Sequence, residues 1–241
     1  MKVLALDTSN RPLSAAVLDD NQLLAMTTTH IRKNHSIQLL PIVETLLKQT
    51  GLEAEDLQRI VVAQGPGSYT GLRIATTTAK TLAYTLNVDL VGVSSLKTLA
   101  ANVNDEGRII VPLFDARRDN VFAGIYQRTA TEMKTIMADR HISIKHLIAN
   151  LLEMQVPVWF IGQDVSIYEE TLKLQLTDNF HRVSRAQDLP DAYVLGQLGL
   201  NEKPVEHPFN FVPKYLRLTE AEVEWKKKHP HEDTKPYVEK I

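Results

Sequence analysis

An α/β fold built from two similar halves is predicted by three observations on the sequence. Apolar alternation and helical spacing succeed one another through residues 1–104 in the order βββαβαβα. The same order restarts at Arg108. The two halves also overlay: LALDTSNRPLSAAVL, from Leu4, lies over PLFDARRDNVFAGIY, from Pro112, so that Asp7 falls on Asp115 and the alternation of the second strand is kept. Two tandem βββαβαβα units describe an actin-like, RNase-H-like architecture of two lobes. The boundaries read as a first lobe over 1–104, a second over 105–218, and a charged helix with its tail over 219–241.

The elements follow in order. Val3–Leu6, Leu13–Leu18 and Gln22–Thr29 are apolar runs separated by the tight polar turns around Asn10-Arg11-Pro12 and Asp19-Asp20-Asn21, the pattern of an antiparallel meander. A helix is predicted from about Ser36 to Gln49, closed by Gly51 at its C-terminal cap, with Pro41 expected near the first turn or at a kink. Its stripe is Leu39, Leu40, Val43, Leu46 and Leu47; Ile37 and Ile42 lie off that stripe, so the helix is apolar on more than one side and suits a partner as well as a sheet. The strand Ile60–Ala63 leads through a glycine loop into a threonine-rich helix, Leu72–Leu86. Leu90–Val93 is a strand, and Ser94-Ser95 caps a helix to about Asn102.

In the second half, Ile109–Phe114, Val121–Tyr126 and Met133–Ala138 are the three strands. Helix Ile144–Met154, strand Val156–Ile161, a helix over about Ser166–Leu176 and a weaker strand at Phe180–Val183 come next. The helix Asp191–Leu200 ends the unit, and we expect it to pack back on the first lobe. Thr219 and Glu222 form a capping-box start for a short charged helix to about Lys228.

Composition narrows the function classes. The chain has 241 residues, 44% hydrophobic content and a net charge of −2, so no basic surface advertises nucleic-acid binding over the whole molecule. Cysteine is absent, which excludes disulfides, thiolate chemistry and cysteine metal sites. The opening apolar run is too short for a signal peptide and no stretch approaches membrane-spanning length, so the cytoplasm is the expected location and no membrane association is expected.

The stretch with most chemistry in it is QGPGSYTGLR, Gln64 to Arg73. Strand, glycine loop and helix N-terminus form the recipe for an anion site, with Gly65, Gly67, Ser68, Thr70 and Gly71 as the candidate loop and Asp7 and Asp115 facing it across the lobes. No lysine follows the last glycine, so this is not a P-loop, and Pro66 removes one donor. A loop that only turns a strand into a helix explains the same residues, and both readings stay open. The aspartates likewise read either as a cleft-facing carboxylate pair or as caps bonding the turn that follows each strand, the second being favoured because neither turn carries a nucleotide-wrapping glycine. No HExxH and no i, i+4 histidine pair is present, and the residue two before Ser68 is Pro66 rather than glycine, so neither a metal site nor a nucleophile elbow is supported. No catalytic and no metal-ligating residue is therefore assigned. The competing class is an actin-fold phosphotransferase or ATPase working through the loop with Asp7 and Asp115.

LALDTS, HSIQLLPIVETLL, GPGSYTGLRIA, GVSSLKTLA, DARRDNVF and KYLR followed by WKK span nearly the whole chain in that order. In these pieces the sequence resembles the TsaB (YeaZ) family, the non-catalytic subunits of the bacterial tRNA threonylcarbamoyladenosine machinery. The resemblance implies a dimerisation and activation subunit, not an enzyme by itself. It pairs with the catalytic subunit TsaD or with a second copy of itself, is joined by TsaE, and reaches adenosine 37 of tRNA indirectly through the complex. It implies pairing through the two helices over about 36–50 and 71–86, with Leu39, Ile42, Leu46, Leu72, Ile74, Thr77, Thr78 and Thr81 at the interface. TsaD-like relatives carry a metal-binding HxxxH pair after the fifth strand; here Ser95 and Leu99 stand at those places. Relatives often have glycines in the second helix where this chain has Ala75 and Thr81, which bears on how closely paired helices approach. No cofactor is required, and ATP or ADP enters only as a weak ligand or at a composite site shared with partners.

Overall fold

The computed structural model describes residues 1–31, 34–217 and 225. The charged helix and tail expected over 219–241 therefore lie outside the described residues, apart from Trp225.

Two five-stranded sheets carry the fold. In the first, β1 (Lys2–Asp7), β2 (Leu13–Asp19), β3 (Gln22–Thr29), β4 (Arg59–Gly65) and β5 (Asp89–Ser94) lie in the order β3-β2-β1-β4-β5. In the second, β6 (Ile109–Asp115), β7 (Asn120–Arg128), β8 (Met133–Ser143), β9 (Val158–Ile161) and β10 (Phe180–Arg182) take the matching order β8-β7-β6-β9-β10. Pairing repeats as well: the first three strands of each half are antiparallel, and the fourth and fifth run parallel to the first. This duplicated order, in a two-lobed α/β molecule, is the actin-like fold.

Both faces of each sheet are covered, which is why the central strands are apolar throughout instead of alternating with polar residues. On one face of the first sheet Leu4, Leu6 and Val17 meet Leu39, Val43 and Leu46 of α1 (His35–Thr50) and Ala75, Ala79 and Ala83 of α2 (Tyr69–Leu86). On the other face Val3, Ala5, Val61 and Val91 meet Ala192 and Leu195 of α6 (Ala192–Leu200). The second sheet has α4 (Ile144–Met154) and α5 (Val165–Leu176) on one face. Leu96, Leu99 and Ala100 of α3 (Ser95–Ala101) cover its other face against Ile110, Phe114 and Ile161. Each half thus lends its last helix to the other half's sheet. Arg59 fixes α6 by donating from Nη1 to the carbonyls of Gly199 (3.0 Å) and Leu200 (2.9 Å), a cation at a helix C-terminus, while Nη2 pairs with Asp89 at 2.7 Å.

The structure corrects three boundaries. Pro41 sits in the second turn of α1, not near its first, and its carbonyl accepts from Thr45 Oγ1 at 2.8 Å. The second helix begins at Tyr69, three residues before the expected Leu72, because Ser68 is its N-cap. Strand β8 runs on to Ser143, since its pairing with β7 continues as far as Asn120 opposite Ser143. Among the described residues no helix is long and apolar enough to cross a membrane.

Candidate functional site: the cleft between the lobes

The glycine loop is shaped by what it packs against. A Cβ added at Gly71 would lie 2.0 Å from the carbonyl oxygen of Thr8, and one at Gly67 would lie 2.2 Å from that of Ser9, so neither position accepts any side chain. The two segments are stitched together: Ser68 N donates to Ser9 O at 2.7 Å, and Thr8 Oγ1 donates to Gly71 O at 2.7 Å. Ser68 Oγ accepts from Gly71 N at 3.3 Å as the cap of α2. Two N–H groups of the proposed anion cradle, those of Ser68 and Gly71, are thereby already engaged within the chain. Gly65 (φ 112°) closes β4 with its N–H on Ser95 Oγ at 3.2 Å, and a cis bond joins it to Pro66.

A cleft of about 480 Å³ opens beside this loop. Gly67, Ser68 and Thr70 line it, whereas Gly65 and Gly71 do not. Of the two candidate aspartates only Asp115 lines it. Asp7 is 1% exposed and takes Ser9 N at 2.8 Å, so it does not reach the cleft as one of a carboxylate pair. Burial holds its carboxyl above the ordinary carboxylate value, an effect opposed by the Ser9 hydrogen bonds. Asp115 makes the same local bond, accepting Arg117 N at 3.0 Å, and also accepts from Tyr168 OH at 2.7 Å. Each aspartate therefore caps the turn that follows its strand.

Sequence reasoning missed Asp164 and Tyr168. Asp164 lines the cleft and accepts from Asp115 N at 2.9 Å, and burial raises its pKa. The signal was the duplication itself: the turn after β9 occupies the place in the second half that the glycine loop occupies in the first. The KYLR run also acquires a position. Lys214 N donates to Gln64 O at 2.7 Å, Tyr215 stacks on Tyr69 with ring centroids 4.9 Å apart, and Arg217 Nη1 donates to Ala116 O at 2.8 Å. This segment crosses the cleft mouth from one lobe to the other, and with Arg117 it sets three cations against Asp115 and Asp164.

Ser95 and Leu99, singled out in the sequence by the resemblance, both pack within the fold. Ser95 Oγ holds Gly65 N, and Leu99 is buried with Leu96, Phe114 and Ile161.

The expected pairing residues divide by burial. Leu39, Leu46 and Leu72 are at most 1% exposed and belong to the interior, so they are not available to a partner. Their periodicity is correct, but the sheet takes that face. Ile42, Ile74 and Thr78 are half-buried, and Thr77 and Thr81 are exposed. The outward apolar residues of α1 are instead Ile37, 68% exposed, and Leu40, 53% exposed.

Residues 23–225 match the family model described as TsaD: tRNA N6-adenosine threonylcarbamoyltransferase. The "tRNA threonylcarbamoyladenosine biosynthesis protein TsaB" of Bacillus subtilis is 40% identical over 93% of this chain and 98% of its own length. The Escherichia coli protein of the same name is 33% identical over 53% of this chain and 56% of its own. Among solved structures, YeaZ from Pseudomonas aeruginosa superposes with a TM-score of 0.72 at 25% identity, covering 89% of this chain and 99% of that one. An uncharacterised protein from the same organism, described as similar to peptidase YeaZ, gives 0.76 at 26% identity over 90% and 99%. With the matching lobes, glycine loop and strand-end aspartates in place, this chain belongs to the TsaB (YeaZ) family, within the wider family that the TsaD model describes.

Proposed function

We propose that the chain is the non-catalytic dimerisation and activation subunit of tRNA threonylcarbamoyladenosine synthesis. It pairs with TsaD through the outer faces of α1 and α2, TsaE joins the pair, and adenosine 37 of tRNA is modified by the complex. The observation that carries this reading is the 40% identity, over nearly the full length of both proteins, with a relative named for that biosynthesis. Two features support the finer assignment. A buried leucine cannot ligate a metal, and Leu99 stands where a ligand is needed. Ile37 and Leu40 present apolar surface on a helix whose other face is already packed on the sheet.

No nucleotide is required by this reading, and self-pairing uses the same face. The competing phosphotransferase reading needs Asp7 at the cleft, whereas Asp7 is buried and bonded to its own turn.

Light scattering on the chain alone and mixed with TsaD from the same organism tests the pairing. A homodimer that gives way to a heterodimer is expected. Leu40→Glu places a charge on the exposed face and should weaken both associations at least tenfold while leaving the melting temperature near that of the parent. A Leu40→Glu protein that still co-elutes with TsaD would move the interface elsewhere.

A further inference from the structure

Away from the pairing face, α2 carries a second stripe. Tyr69, Arg73, Lys80 and Tyr84, four or seven residues apart, share one side of the helix over about 22 Å. This side lies roughly a quarter-turn around from Ile74, Thr78 and Thr81. The segment that leads into and includes KYLR doubles the aromatics: Tyr215 stacks on Tyr69 at one end, and Phe209 meets Tyr84 edge-on at 6.1 Å at the other. Between the two aromatic pairs lie the cations. Arg73 sits 5.5 Å from the centre of the Tyr69 ring, and Lys80 Nζ sits 5.5 Å from that of Phe209.

Tyr84 and Phe209 are 69% and 74% exposed, so most of each ring is open to a ligand. Residues 69–86 contain no Asp or Glu, and among the described residues neither Arg73 nor Lys80 pairs with a carboxylate. We propose that this stripe binds single-stranded RNA, its phosphates on Arg73 and Lys80 and its unpaired bases on the Tyr69–Tyr215 and Tyr84–Phe209 platforms. Alternating rings and cations along a shallow surface are the chemistry that holds unpaired nucleotides with little regard to sequence. An apolar protein segment is a poorer occupant, because it would bury both cations without a counter-charge. The proposal goes beyond the pairing reading and does not depend on it, since the two faces of α2 are separate.

Fluorescence anisotropy with an unstructured, end-labelled RNA of about ten nucleotides tests it on the full chain. The parent protein should bind at about 50 mM salt and lose affinity steeply by about 200 mM. Tyr84→Ala and Phe209→Ala, both on the surface, should each lower affinity about tenfold. Arg73→Gln combined with Lys80→Gln should flatten the salt dependence by one to two units of log–log slope. Absence of salt-dependent binding by the parent would overturn the proposal, as would aromatic variants that bind like the parent. Tyr84→Ala that loses TsaD but keeps its RNA affinity would also overturn it, making the stripe a protein-docking surface.

Discussion

The turn after β1 and the turn after β6 occupy equivalent places in the two halves, and each begins with an aspartate that accepts the N–H two residues on. Their supports differ. The first turn is clamped from outside: Gly67 and Gly71 bring the loop backbone onto the carbonyls of Thr8 and Ser9, which leaves Asp7 sealed beneath. The second is held by hydrogen bonds instead of by close backbone packing. Arg117, Arg118 and Asp119 all have left-handed backbone (φ 66°, 54° and 55°), a conformation unfavourable for residues with a Cβ. It is kept by Ala116 N on Asn120 O (2.9 Å), Asn120 Nδ2 on Arg118 O (2.8 Å) and Ile144 N on Asp119 O (2.9 Å), with Tyr168 bracing Asp115. Duplication conserved the strand-end carboxylate and not its surroundings, so a residue that looks the same in both halves of the sequence faces the cleft in one half only.

The largest effect that tests this contrast is expected at the clamp. Gly71→Ala forces a methyl group into a backbone carbonyl and should destabilise the fold by about 3 kcal/mol, lowering Tm by roughly 6–12 °C in a thermal melt. A variant melting with the parent would mean that the loop and the Thr8–Ser9 turn are not in contact.

The pH dependence of the sealed carboxylate comes next. Because burial raises Asp7 above its ordinary 3.8 in the folded state, the unfolded chain loses that proton first. Asp7 therefore makes its best contribution below that value, and the contribution declines as pH rises from there to the folded pKa. Asp7→Asn should remove this decline, so denaturant titrations across pH should show the variant gaining on the parent as pH rises. A constant difference at all pH values would place Asp7 in contact with water.

The smallest effect belongs to the second turn. Tyr168→Phe removes the hydroxyl on Asp115 and should lower stability by about 1 kcal/mol, or roughly 2–4 °C. A larger loss would mean that the second turn depends on this one brace as much as the first depends on its clamp.

The fold was largely legible in the sequence, and the site much less so. Strand runs such as Val3–Leu6 and Leu13–Leu18 are apolar enough to stand out, and the repeat fixes their order. Periodicity also grouped Leu39 with Leu46 correctly, but a helix that is apolar on two sides does not announce which side the sheet will take. Ser68 was hidden as a cap because the glycines beside it resemble an anion loop, and cap and loop draw on the same residue types. The roles of α3 and α6 were harder still. That α3 covers the second sheet and α6 the first depends on contacts between distant parts of the chain, and local patterns carry little of that.

The most direct test of the central claim is to supply tRNA and an activated threonylcarbamoyl donor and assay threonylcarbamoyladenosine formation with the chain alone, with TsaD and TsaE alone, and with all three together. The account predicts no product from the chain by itself and a strong increase when it is added to its partners. Turnover by the isolated chain, abolished by Asp7→Asn or Asp115→Asn variants that still fold, would contradict it.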